Sequence, residues 1–257
     1  MTGRLIVLGS GTSFGVPVIG CDCAVCRSPD PRDRRTRTAA VVELDGVRLL
    51  IDTPPELRLQ LVAAGVGAVD AVLFTHEHAD HVAGIDDLRA FSVRGATVPI
   101  YGPPQTIAGL QRRFDYIFSP DEPMPGTSKP RLVASGVAPF EEVRIGEIPV
   151  LPVEVDHGGS AVYGYRVGSA AYVTDAKTLS ERAIQALQGV ECLVLNALFE
   201  RPHPTHLSIP EAIAVAERIG ARQTYLTHLT HRHSHQALEA RLPAGIAPAY
   251  DGLVLAF

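Results

Sequence analysis

Residues 75–81 read THEHADH and follow directly on the strand-like run DAVLF at 70–74. The heptapeptide therefore begins where an extended segment ends. His76 and His78 alternate and can point to one side of an extended chain. Asp80 and His81 follow as the chain turns into a helix. Two imidazoles on one side and a carboxylate with an imidazole on the other can serve two adjacent divalent metals. A lone structural zinc would not need four ligands packed this tightly with further histidines elsewhere, and the plain alternative is a histidine-rich surface turn.

Outward from this motif, short apolar runs alternate with helical patterns. Strands are expected at 3–8, 39–44, 47–51, 69–74, 98–101, 131–134, 148–155, 161–167, 170–174, 191–195, 223–227 and 252–257, and helices at 55–64, 84–93, 104–113, 179–187, 209–219 and 235–241. The helix at 209–219 has the clearest start, with Ser208 to cap, Pro210 in the first turn and Glu211 to complete a capping box. Strand-rich halves carrying helices suggest helix-covered sheets. The segment DYIFSPDEPMPGTSKP at 115–130 is rich in Pro, Gly and Ser and is expected to be a surface loop near the working face.

The 257 residues are 46% apolar and 20% charged, enough for a sizeable core. No apolar run approaches the roughly 20 residues that span a bilayer. The apolar stretch from Leu5 to Gly9 is too short for a signal-peptide core, so a cytoplasmic protein is expected. The formal charge of −5 argues against an extended nucleic-acid surface. One basic cluster, Arg32, Arg34, Arg35 and Arg37, is either a solvated loop or a contact for an anionic substrate or partner.

The pattern H-x-H-x-D-H after a strand resembles the signature of the metallo-β-lactamase superfamily, over the whole chain. The resemblance implies a single αββα sandwich domain over residues 1–257 with a one- or two-metal site between two sheets. LIDT at 50–53 is similar to the family's second motif, with Asp52 beside the metals. DHGGS at 156–160 supplies His157, YVTDA at 172–176 the bridging Asp175, and LTH at 226–228 the final histidine, His228. By resemblance one metal takes His76, His78 and His157, the other takes Asp80, His81 and His228, and Asp175 bridges them. Zinc and manganese both suit such a set.

GCDCAVC at 20–26 places Cys21, Cys23 and Cys26 where three thiolates can hold three corners of a tetrahedral zinc. A free-thiol loop is the alternative. Cys192, in the apolar run ECLVLNAL, is expected to be a buried core thiol. The stretch GSGTSFGVPVIGCDCAVC at 9–26 resembles the PhnP-type phosphodiesterases of the carbon–phosphorus lyase pathway. Members of that group complete a structural zinc with a histidine three residues after the last active-site histidine, here His231. The four histidines of LTHLTHRHSH at 226–235 thus divide: His228 goes to the active site, His231 to the zinc, and His233 and His235 are expected to be solvated or to start a helix.

RPHPTHLSIPE at 201–211 places His206 just before the capped helix. Phosphodiesterases of the superfamily often carry a non-ligand histidine there, so the resemblance assigns His206 to transition-state charge or leaving-group protonation, with Asp80 as its catalytic companion. A phosphoryl oxygen at this point is expected to meet the helix N-terminus as well as the imidazole. His203 is expected to be an exposed loop residue. The implied reaction is hydrolysis of a small phosphodiester, cyclic ones included, by a hydroxide held between two metals, and a homodimer is compatible with it. The stretch TPPELRLQL at 53–61 departs from the PhnP pattern and resembles the pyrroloquinoline-quinone biosynthesis protein B, which leaves the substrate open. The rivals are a metallo-hydrolase of a lactone, thioester or amide, a tRNA-processing nuclease lacking its RNA-gripping arm, and a non-catalytic zinc protein.

Overall fold

The structure is a computed structural model describing residues 3–93, 95–121 and 123–257. In chain order its strands are β1 Arg4–Gly9, β2 Ala39–Leu44, β3 Val47–Ile51, β4 Ala71–Leu73, β5 Val98–Gly102, β6 Leu132–Gly136, β7 Val143–Ile145, β8 Ile148–Asp156, β9 Ala161–Val167, β10 Ala170–Val173, β11 Cys192–Asn196, β12 Gln223–Thr227, β13 Ile246–Pro248 and β14 Val254–Ala256. Its α-helices are α1 Leu57–Ala63, α2 Ala79–Val82, α3 Arg89–Ser92, α4 Pro104–Arg113, α5 Asp115–Phe118, α6 Glu181–Leu187, α7 Ile209–Ile219 and α8 His235–Glu239.

The strands form two sheets, ordered β14-β1-β2-β3-β4-β5-β6 and β13-β12-β11-β10-β9-β8-β7. Each is antiparallel at one side and parallel at the other: β3 to β6 run parallel in the first and β10 to β13 in the second. Strand β1 explains the layering. Leu5 and Val7 enter the core shared by the two sheets, while Ile6 and Leu8 enter a second core beneath the helices of the first sheet. Both faces are covered, so the strand reads as a continuous apolar run. A third core packs α6 and α7 against the outer face of the second sheet. The result is the expected αββα sandwich.

Helix α7 spans the expected residues, with the Ser208–Glu211 capping box formed and Gly220 closing it at φ 71°. The expected helix at 84–93 instead divides into a 3-10 turn at Ile85–Leu88 and α3. Two three-residue strands, β7 and β13, were not expected, because so short a segment carries no readable alternation.

The 115–130 segment departs from expectation. Its first residues form α5, and Lys129 Nζ donates to the carbonyls of Ser119 (2.6 Å) and Asp121 (2.8 Å). The remainder leads into the start of β6, where the Arg131 N–H donates to Ser92 Oγ at 2.8 Å. Because β4, β5 and β6 are parallel, the end of the segment lies at the opposite end of the sheet from THEHADH, whereas its start adjoins the motif: Arg113, just before α5, donates to the Glu77 carbonyl at 2.6 Å and the Tyr116 hydroxyl donates to Asp86 at 2.7 Å. Glu122 of this segment lies outside the described residues. Among the described residues, no helix is long and apolar enough to cross a membrane.

Candidate metal centre

The singled-out histidines and aspartates sit on segments that follow strand ends, the crevice position of open sheets with parallel strands. Asp52 follows β3, His76 to His81 follow β4, His157 follows β8, Asp175 follows β10 and His228 follows β12. Three of them leave their strands through left-handed backbone, Asp52 at φ 63°, Asp175 at 54° and His228 at 58°. Such angles are uncommon outside glycine and cost energy that the surroundings must offset.

Three overlapping groups of donor atoms result. His76, His78, His157 and Asp175 bring one donor each to within 4.8 Å of one another, and so do Asp80, His81 and His228, and Asp175, His206 and His228. Asp175 lies between the first two, with Oδ2 at 3.9 Å from His76 Nε2 and 3.5 Å from His228 Nε2, and Oδ1 at 3.4 Å from His81 Nε2. His206 Nε2 also reaches Asp175 Oδ2, at 3.1 Å.

Partners behind the donors set ring orientation. Asp52 is buried, accepts from the Thr75 N–H and Oγ1, both at 2.8 Å, and meets His81 Nδ1 at 2.7 Å. His81 Nε2 is thereby aimed inward. His157 Nδ1 donates to the Thr205 carbonyl at 2.8 Å, freeing Nε2. Thr75, which also lies 3.0 Å from His76 Nδ1, and Thr205 carried no signal in the sequence, since a threonine beside a histidine is unremarkable until the fold aims it.

The electrostatics suit metal ligands. Burial holds the His76, His157 and His228 imidazoles below their ordinary values, His228 at about 4, so their lone pairs are free at neutral pH. Burial works against the Asp175 carboxylate, yet His228 and His81 keep it well below the carboxylate range. Burial also opposes protonation of His81, and Asp175 and Asp52 overcome it. His81 Nε2 and both ring nitrogens of His228 are buried without a hydrogen-bond partner. Orphaned ring nitrogens facing ionised carboxylates are costly as they stand and fit divalent cations.

A second cluster lies in the loop after β1. The Sγ atoms of Cys21, Cys23 and Cys26 lie 3.3, 3.5 and 3.4 Å from His231 Nδ1. The Cys26 N–H approaches Cys23 Sγ at 3.5 Å and lowers that thiol to about 6. Three sulfurs equidistant from one imidazole nitrogen suit a tetrahedral zinc. Cys192 is buried, and burial pushes its thiol up to about 12.

Several expectations change. Arg35 is neither solvated nor poised for an anion: it is 1% exposed, and its guanidinium donates to the carbonyls of Thr230 (2.7 Å) and His233 (3.3 Å) beside Asp33 (3.4 Å). Arg32 pairs with Asp30 and Arg37 with Glu56. His235 starts α8, as one reading allowed, but it is buried: its N–H donates to Asp33 Oδ1 at 2.6 Å and its ring stands edge-on to Tyr250. His203 is half-buried, with its ring 5.2 Å from that of His206. The N-terminus of α7 offers no N–H to a phosphoryl oxygen. The Ser208 and Glu211 N–H groups serve the capping box, that of Ile209 donates to Phe199, and Pro210 has none.

Fold and centre together define a metal-binding hydrolase of the β-lactamase fold. The chain belongs to the β-lactamase superfamily: residues 47–229 match the family described as Beta-lactamase superfamily domain. Over its whole length it is similar to a crystal structure described as a new diphosphatase from the PhnP family, at 43% identity and a TM-score of 0.92, covering 98% of that chain. It is 40% identical to an octanoyltransferase of Porphyromonas gingivalis over 97% of this chain, but spans only 51% of that relative's length. It is 28% identical to ribonuclease Z of Methanopyrus kandleri, over 88% of this chain and 93% of the relative.

Proposed function

We propose that the chain is a dinuclear metal-dependent phosphodiesterase acting on a small diester, cyclic ones included. His76, His78 and His157 would hold one divalent ion, Asp80, His81 and His228 the other, and Asp175 would serve both. Zinc or manganese bound there would supply Lewis acidity and an activated water near neutral pH. Asp52 orients His81. Cys21, Cys23, Cys26 and His231 would hold a structural zinc.

The observation that carries the reading is the position of His206. Its Nε2 sits 3.1 Å from the shared carboxylate; it lies within donor range of Asp175 and His228, while Asp80, His81 and His228 form a donor group without it. Its Nδ1 lies 2.8 Å from Thr205 Oγ1, which turns Nε2 to the centre. An imidazole so placed can protonate a leaving alkoxide or offset charge on a phosphoryl oxygen. With the N–H groups of α7 engaged elsewhere, His206 does this without help from the helix end. A diphosphatase and a ribonuclease among the relatives both cleave bonds at phosphorus, which favours the same chemistry. The octanoyltransferase name belongs to a chain about twice as long.

The test is a panel of bis(p-nitrophenyl) phosphate, cyclic nucleotides, lactones and thioesters, given to protein loaded with zinc or manganese. Diester hydrolysis well above the other substrates is expected. Turnover of lactones or thioesters with the diesters untouched would assign the centre to carbonyl chemistry. A metal content of one zinc per chain with no turnover would leave a non-catalytic zinc protein.

A further inference from the structure

We infer that the cavity between the Thr12–Val18 loop and Phe199 is the subsite for a planar ring carried by the substrate, the base of a nucleotide-sized molecule. This rests on the phosphodiesterase reading and adds a substrate class to it. The cavity holds about 250 Å³ and is lined by Thr12, Phe14, Val18, Phe199, Thr230 and Arg232, among others.

Phe14 is the first reason. Its side chain is 71% exposed and lines the cavity, so an aromatic face is open there for a ring to stack on. Looseness does not account for the exposure. The Gly15 N–H donates to the Thr12 carbonyl at 2.9 Å, Val16 and Arg35 exchange two backbone hydrogen bonds of 2.8 Å, and the Val18 N–H approaches Cys26 Sγ at 3.4 Å. The loop is thus tied at three points, to itself, to buried Arg35 and to the cysteine cluster, so the cavity wall is preformed.

The second reason is what else the cavity presents. Phe199 offers another aromatic surface, and the Arg232 guanidinium lies 6.0 Å from its ring centre, the outer reach of a cation–π contact. Aromatic rings, a guanidinium and the hydroxyl residues Thr12 and Thr230 match a flat heteroaromatic ring with a polar edge better than they match an alkyl chain.

The third reason is place. The Phe199 ring lies 5.6 Å from that of His203, His203 lies 5.2 Å from His206, and His206 touches Asp175. Thr230 follows His228 by two residues. The cavity, which His231 of the cysteine cluster also lines, thus connects to the centre through Phe199, His203 and His206, the side on which the leaving group or its neighbour would project.

The test is calorimetric titration of the zinc-loaded protein with adenosine 5′-monophosphate, ribose 5-phosphate and octyl phosphate. The first two share the phosphate and differ by the ring. Adenosine 5′-monophosphate should bind about 5–150-fold more tightly than ribose 5-phosphate, the equivalent of ~1–3 kcal/mol for one stacked base. Phe14→Ala, at an exposed position, should bring that ratio close to one. Phe199→Ala should do the same, with circular dichroism confirming its fold. Equal affinities in the wild type, or a preference that survives Phe14→Ala, would overturn the assignment. Tightest binding of octyl phosphate would replace it with an alkyl site. Because binding needs no turnover, a ring preference without diester hydrolysis would sink the catalytic reading and leave the subsite standing.

Discussion

The four histidines between 228 and 235 share one short segment and four different environments. His228 is buried with both nitrogens unpartnered, and His231 turns Nδ1 to three sulfurs. His233 lies 3.4 Å from Glu200 at the surface, and His235 is packed against Tyr250. Their alanine variants should therefore fail differently. His228→Ala should stay folded and lose active-site metal and turnover. His231→Ala should match Cys23→Ala, losing one zinc and melting lower, by about 2–4 °C for each kcal/mol lost at this chain length. His235→Ala should lower the melting temperature without changing metal content, and His233→Ala should do little. Metal analysis with melting curves on all four decides it; a zinc lost from His233→Ala and kept by His231→Ala would refute the fourth ligand. The proposed catalytic pair separates in the same assay. Asp80→Ala should lose metal, whereas His206→Ala should keep both ions and lose roughly 10²–10³ in kcat, the scale of one positioned donor or acid. A drop in metal content in His206→Ala would make it a ligand instead. The expected donors were legible because each closes an apolar run with a histidine or aspartate. Arg35 and His235 were not, because their burial depends on partners about 200 residues away, the carbonyls of Thr230 and His233 for one and the Asp33 carboxylate for the other.

At the level of elements, β4 and β10 were readable because they are buried on both faces and end abruptly, as β4 does before THEHADH, and β8 because it alternates buried with partly exposed residues. The three-residue strands β7 and β13 form by pairing with β8 and β12, so their existence is a property of the sheet and not of the segment. Helix α7 was legible in full because its boundaries are local chemistry: Ser208, Pro210 and Glu211 at one end, Gly220 at the other. The same closed cap removed the anion site expected there, since a capping box spends the N–H groups that a phosphate would use. Ser208→Ala should cost about 1 kcal/mol and lower the melting temperature by a few degrees. It should leave the KM for a phosphodiester nearly unchanged, because no substrate oxygen relies on that helix end. A many-fold rise in KM would restore the helix terminus as part of the site.

The whole molecule is joined at its centre as well as at its core. The shared core draws side chains from both sheets, such as Leu5 and Val7 from the first and Val150 and Tyr165 from the second. The donors are divided likewise: His76, His78, Asp80 and His81 come from the first sheet, and His157, Asp175 and His228 from the second. A metal held by both sheets would stabilise the folded state alone, by RT ln(1 + [M]/Kd), about 4 kcal/mol at a thousandfold excess over Kd. Chelation should therefore lower the melting temperature of the entire chain, on the order of 10 °C for that excess. A single calorimetric transition should persist, since the shared core draws side chains from both sheets. The Cys23→Ala variant should still melt lower on chelation, by less than the wild type, because the ions it would keep are those held between the sheets. Zinc or manganese added back should restore the wild-type curve. Two separate transitions, one of them insensitive to chelator, would mean that the sheets fold as independent units and that the centre lies across a domain boundary instead of within one domain.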